Sequence, residues 1–167
     1  GLGNDFIVLE GLTEEATEKI LGAVPNIIKL LCDRRFGIGA DGIIIPLPCN
    51  DDCLVRMQIF NSDGTEAEMC GNGIRCLVRY LFNNKLVNLN HELSIKTLAG
   101  IIKAHIDDTE RITVDMGPPL FLPAAIPTTL TVNAFGIPEG IVKLDGIDFT
   151  IYAVGMGNPH AIIYLNN

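Results

Sequence analysis

Met69-Cys70-Gly71-Asn72-Gly73-Ile74-Arg75-Cys76-Leu77-Val78-Arg79-Tyr80-Leu81-Phe82 is the stretch on which the fold turns. Ile74, Leu77, Val78, Leu81 and Phe82 recur at i, i+3, i+4, i+7 and i+8, while Arg75 and Arg79 fall elsewhere on the helical wheel. The spacing predicts an amphipathic helix that starts near Cys70 and buries one face. Gly71 and Gly73 each cost about 1 kcal/mol relative to alanine in a helix interior, so a pair of them just before the periodic run needs a reason. Close approach of a ligand is one.

Outward from this helix the pattern is one of short apolar strands, expected at residues 6–9, 42–45, 56–60, 93–97, 101–106, 112–116, 147–154 and 161–164. A lesser helix is expected after Thr13, which can cap a first turn carrying Glu14 and Glu15. Pro25 interrupts it before an apolar stripe resumes over 27–31, and Gly37 and Gly39 end it. Many strands around one strong helix imply an α+β fold with a mixed or mostly antiparallel sheet. The uncharged run between Asp115 and Glu139 holds Pro118, Pro119, Pro123, Pro127 and Pro138, and so reads as extended or turn-rich loop, not a membrane span.

At 167 residues, with 48% apolar and 19% charged side chains, the chain has the apolar content of a folded domain and not of a disordered one. The net charge is −8 and no basic cluster exceeds Arg34-Arg35, which argues against nucleic acid as a ligand. Residues 1–10 lack the basic start and long apolar core of a secretory signal. The chain opens at Gly1 without an initiator Met, so sequence upstream is expected. Cys32, Cys49, Cys53, Cys70 and Cys76 are odd in number, which argues against a closed disulfide framework and for a reducing compartment.

Two segments carry the candidate chemistry. A thiol at position 70, at a helix N-terminus, would meet unpaired backbone N–H groups and the positive end of the dipole, which stabilise a thiolate and can hold a substrate carboxylate. A buried, inert cysteine is the competing reading on spacing alone. Gly155-Met156-Gly157-Asn158-Pro159-His160 is a turn presenting an amide and an imidazole together, or a plain turn with a solvated histidine. Cys76 is expected in the core and Cys32 packed on its helix. Cys49 and Cys53 form a C-x3-C pair with no second pair to complete a metal site. Gly1-x-Gly3 precedes a strand instead of following one, and residues 37–42 lack the Lys and Ser/Thr of a phosphate loop, so no nucleotide site is expected.

Taken in order, GLGNDF (1–6), DRRFGIGADG (33–42), IFNSDGTEAEMCGNGIRC (59–76) and GMGNPH (155–160) resemble the N-terminal half of diaminopimelate epimerase. C-G-N-G-x-R-C after F-N-x-D-G is the most specific part. The resemblance implies a cofactor-independent enzyme that interconverts LL- and meso-diaminopimelate in lysine and cell-wall precursor synthesis. It does so with two cysteines that exchange a proton across the substrate α-carbon, and needs neither pyridoxal phosphate nor a metal. Carried over residue by residue, Cys70 is one of the two thiols and His160 sits beside them. Asn4, Asn61 and Asn158 bind the substrate's polar ends, and Gly71 and Asn72 offer backbone donors to the reacting carboxylate.

The implied fold is a lobe in which a mixed sheet wraps one central helix, with residues 1–167 forming one such lobe of two. The second lobe and its thiol are expected beyond Asn167, since none of Cys32, Cys49, Cys53 or Cys76 stands at a matching motif. The family's first strand is expected before Gly1, and its absence would leave a bare sheet edge. Gly42 stands where some members carry Gln. The expected partner is a small amino acid, with no nucleic acid or membrane and with a homodimer left open, in the cytoplasm or a plastid stroma. A proline- or hydroxyproline-type epimerase, or a non-catalytic lobe that binds a ligand or partner, are the alternatives.

Overall fold

The computed structural model describes residues 3–23, 26–50 and 52–165. Gly1 and Leu2 of the first motif, and the interruption at Pro25, lie outside them. The chain divides into two compact units, Gly1–Asp115 and Met116–Asn167.

The first unit is built on a six-stranded sheet in sequence order. Its strands are β1 (Phe6–Val8), β2 (Gly42–Leu47), β3 (Val55–Asn61), β4 (Glu92–Thr97), β5 (Gly100–Ile106) and β6 (Ile112–Val114). β1 runs parallel to β2 and β3 parallel to β4, whereas the other neighbours are antiparallel, so the sheet is mixed as expected. Helices α1 (Glu14–Ala23) and α2 (Ile27–Cys32) follow β1, and α3 (Gly71–Asn83) follows β3. The Thr13 hydroxyl accepts the Ala16 N–H at 3.1 Å, the cap its position predicts.

α3 is the helix that the periodicity foretells, and the sheet curls around it. Ile74, Leu77, Val78 and Leu81 are buried with Ile44, Met57, Ile59, Leu93, Ile95 and Ile106 in one apolar cluster. Phe6, Val8, Ile112 and Val114 of the two outer strands pack against the same cluster. Alternation along β2 supplies a second core on the opposite face. Ile44 points toward α3, while Ile43 and Ile45 join Ile28, Cys32, Ala40 and Phe60 under α2. That two-sided burial explains the unbroken apolar run at 43–45.

Several glycines are required by close packing, Gly37 the most tightly, and two of them bear on the main sheet and α3. A Cβ on Gly73 would fall 2.8 Å from Ile59 Cδ1, so the start of α3 sits directly on the sheet. A Cβ on Gly42 would fall 2.3 Å from the Phe60 carbonyl oxygen, a backbone atom that cannot step aside. Gly42→Gln should therefore lower stability by about 1–3 kcal/mol, as overpacking does, read from the urea midpoint of the full-length protein. An unchanged midpoint would show that the strand yields without strain.

The second unit is a four-stranded antiparallel sheet in the order β10-β9-β8-β7, with β7 (Thr131–Val132), β8 (Pro138–Leu144), β9 (Ile147–Gly155) and β10 (Pro159–Ile163). A short 3-10 turn at Pro123–Ala125 is the main regular feature of the proline-rich stretch. β8 lies outside the strands expected from the sequence. It is joined to β9 by Asp145 and Gly146 at φ 50° and 80°, the two left-handed residues of a tight hairpin. No helix among the described residues is long and apolar enough to cross a membrane.

Candidate functional site

Cys70 is the N-cap of α3, in extended backbone at φ −147° and ψ 110°, and its Sγ accepts the Gly73 N–H at 3.3 Å. The sulfur thus takes the role that a serine, threonine or aspartate oxygen usually fills. Its side chain is half-buried, open enough to meet a ligand. Gly71 and Asn72 form the first turn beside it, where backbone N–H groups have no acceptor within the helix. Together these groups offer a proton acceptor next to backbone donors suited to a carboxylate.

Around this helix end runs a chain of polar contacts between segments far apart in sequence. Arg75 donates to Asn72 Oδ1, Asn72 Nδ2 donates to Asn4 Oδ1 at 2.6 Å, and Asn4 Nδ2 donates to Asp41 Oδ2 at 2.9 Å. Arg34 donates to Asp41 Oδ1 at 2.9 Å and grips both oxygens of Asp5 at 2.7 and 3.0 Å. Of the residues expected in the site, Asn4, Cys70, Gly71 and Asn72 come together here.

Asn61 closes β3 opposite Gly42, but its amide is turned into the following bend, donating to Thr65 Oγ1 at 3.0 Å. Asn158 and His160 belong to the second unit. The Met156 N–H donates to the Asn158 carbonyl at 3.0 Å across the β9–β10 turn, and His160, the second residue of β10, is in register with Val154. Both side chains are exposed.

Arg34 and Asp41 are the charged residues that inspection of the motifs passed over. Their signal was a set of charges flanking the glycine-rich turn at 37–39. Hydrogen bonds from Arg34 hold the Asp5 carboxyl below its ordinary value of 3.8, and those from Asn4 and then Arg34 do the same for Asp41. Carboxylates with depressed folded pKa values stabilise the fold above the unfolded value and lose that contribution as pH falls through the folded one. Arg34→Met should therefore destabilise the full-length protein at neutral pH, and the difference from the parent should close on the acid side of 3.8 in melts at stepped pH. A deficit that persists unchanged in acid would assign it to lost packing of the arginine stem.

The remaining cysteines divide three ways. Cys32, the last residue of α2, is buried, and burial pushes its thiol up. Cys76 is half-buried against the α3 core, with its thiol raised for the same reason. It lines a groove of about 660 Å³ along α3 whose wall includes Asn4, Asn72, Arg75 and Tyr80 but not Cys70. Cys49 and Cys53 are joined in a disulfide, with Cα atoms 6.0 Å apart in the β2–β3 loop. This pairing, four residues apart within one loop and with three cysteines free, is not the closed disulfide framework that the odd cysteine count argues against.

The sequence model of the diaminopimelate epimerase family matches residues 1–122. Diaminopimelate epimerase of Prochlorococcus marinus strain NATL2A is 47% identical over 167 residues, which are 100% of this chain and 59% of that protein. The enzymes of Microcystis aeruginosa and Carboxydothermus hydrogenoformans are each 41% identical over 100% of this chain and 58% of their own lengths. The chain thus spans somewhat under two thirds of the curated relatives it matches. Among solved structures, a hydroxyproline epimerase from Agrobacterium vitis aligns with a TM-score of 0.59 at 15% identity over 83% of this chain and 39% of that one. A Bacillus anthracis phenazine biosynthesis protein of the PhzF family aligns at 0.56 and 18% over 96% and 50%. Those structures share the fold alone, whereas the sequence matches go further: this chain belongs to the diaminopimelate epimerase family.

Proposed function

We propose that the full-length protein is a cofactor-independent amino-acid isomerase that interconverts LL- and meso-diaminopimelate, with Cys70 as one of two acid–base thiols. The observation that carries this is the Cys70 sulfur at the head of α3, beside first-turn amides, in a chain 47% identical to a named diaminopimelate epimerase. Residues 1–167 are then an N-terminal portion, and the second lobe and thiol come from sequence outside it. The place of the reaction is lysine and peptidoglycan-precursor synthesis in the cytoplasm or a plastid stroma.

The chemistry needs no net oxidant or reductant. The Cys70 thiolate takes the α-hydrogen as a proton, so the Cα–H bond breaks, an S–H bond forms and the electron pair stays on the substrate. That charge spreads onto the α-carboxylate, where the Gly71 and Asn72 backbone N–H groups meet it. A thiol on the opposite face then gives up its proton to Cα, which inverts the centre and leaves that sulfur as the new thiolate. In the reverse direction the two sulfurs exchange roles. Asn4, Asn61 and Asn158 orient the amino and carboxylate groups, and His160 stands beside the thiols.

The test is the full-length protein in D2O with LL-diaminopimelate. One deuterium should enter the α-carbon for each molecule of meso product, as a proton drawn from solvent-equilibrated thiols requires. Product without label, or no product, would overturn the mechanism or the activity respectively. Proline and hydroxyproline should fail to compete in the same assay.

A further inference from the structure

We propose that Arg34 and Asp41, with Arg75 at the opposite end, are positioning residues that fix which way the Asn4 and Asn72 side-chain amides face, so that both present N–H groups to an acidic group of the ligand. This rests on the reading that Asn4 and the head of α3 contact substrate.

A carboxamide has two ends of nearly equal shape and opposite function, since its oxygen accepts and its nitrogen donates. Left to solvent, it turns either way. Here the two amides are linked in series, Asn72 Nδ2 to Asn4 Oδ1 at 2.6 Å. Each end of the series is closed by a group that can play only one part. At one end Arg75 donates to Asn72 Oδ1, and a guanidinium has no acceptor to offer. At the other the Asp41 carboxylate receives Asn4 Nδ2 at 2.9 Å, and an ionised carboxylate has no donor to offer. Reversing either amide would set donor against donor or acceptor against acceptor at both of its contacts.

Arg34 keeps the accepting end in its place and in its ionised state. It grips Asp5 with two nitrogens at 2.7 and 3.0 Å and reaches Asp41 Oδ1 at 2.9 Å. The Asp41 N–H donates to the Asp5 carbonyl at 3.0 Å, so Asp5 and Asp41 are also tied through the backbone. With Asn4 and Asp5 adjacent in the chain, the cluster sets both the position of Asn4 and the sense of its amide. The series engages the oxygen of each amide and one hydrogen of each nitrogen. The second hydrogen on each nitrogen is left, and two N–H donors suit a carboxylate and repel an ammonium group.

The experiment uses the full-length protein and Asp41→Asn, which keeps the shape and removes the obligatory acceptor. Two quantities are read, the kinetics with diaminopimelate and the side-chain amide signals of protein labelled with ¹⁵N-asparagine. The expected result is a KM raised about tenfold with kcat changed by less than about threefold, the size of one misdirected charge-assisted hydrogen bond. The two Asn4 side-chain proton signals should also shift toward the values of a solvent-exposed asparagine, each remaining distinct, as the amide loses its fixed sense. KM within twofold of the parent, with the Asn4 and Asn72 signals unmoved, would overturn the proposal. If the parent protein shows no epimerisation, the functional reading falls, and the amide signals alone decide whether Asp41 sets the orientation. Should Asp41→Asn fail to fold, Arg34→Lys, which keeps the charge and loses the fork, is read against the same two criteria.

Discussion

Cys70→Ala in the full-length protein is expected to abolish α-deuterium exchange and epimerisation, with kcat lowered by about a thousandfold or more, as befits loss of the group proposed to move the proton. The alanine variant also forfeits the helix cap, at about 1 kcal/mol, so lost activity alone would leave folding as an explanation. Cys70→Ser separates the two. Serine is among the best N-cap residues and can receive the Gly73 N–H in the sulfur's place, so the variant should melt like the parent. Its hydroxyl is far too weak an acid to stand in for a thiol, so turnover should remain near the alanine level. A stable serine variant that still epimerises would remove Cys70 from the chemistry, and a serine variant as unstable as the alanine one would mean the cap contact is not formed.

Leu77→Ala carries the largest expected effect on stability. Leu77 is fully buried at the middle of α3, among Ile44, Ile95 and Ile106 of the surrounding sheet. Truncation of such a side chain costs about 2–5 kcal/mol through lost transfer energy and the cavity left behind. Against a total of about 5–15 kcal/mol, that is a large share. Arg79→Ala, on the same helix, is the control. Arg79 pairs with Glu110 near the surface, at 2.7 Å, and an ion pair so exposed contributes about 0–1 kcal/mol. Equal losses in the two variants, measured by urea unfolding, would mean that α3 is not embedded in the sheet as described.

The central helix and its cap were legible because a helical period over 74–82 admits one face, and that face had to be covered. Most strands around it were legible for the same reason at period two. β8 was not, because Pro138 falls in the proline-rich run read as loop and the strand, paired with half-buried or exposed residues of β9, shows no clear two-residue alternation. Asp145-Gly146 was the cue that went unused, since a two-residue turn of that kind demands a strand on either side. In the candidate site, the meeting of Asn4 and Asn72 beside Cys70 was anticipated by motif order. The Arg34 cluster was not, because its meaning lies in contacts 29 and 37 positions apart in the chain, Arg34 with Asp5 and Asn4 with Asp41. Gly73 was read as room for a ligand, whereas the space a side chain would need belongs to Ile59.

That contact at Gly73 has a consequence for how such a protein can diverge. One glycine seats the helix on Ile59 and directs its own N–H to the sulfur, so the place of the Cys70 sulfur is inherited from the hydrophobic interior. Given the proposed role of Cys70, drift at Ile44 or Ile59 would shift the helix head and with it the proton's path, which ties two ordinarily separate selections, for folding and for turnover, to the same few side chains. The surface amides bear no such double duty. Descendants that change substrate are expected to differ at positions such as 4, 61 and 158 while keeping the glycine and the isoleucines beneath it.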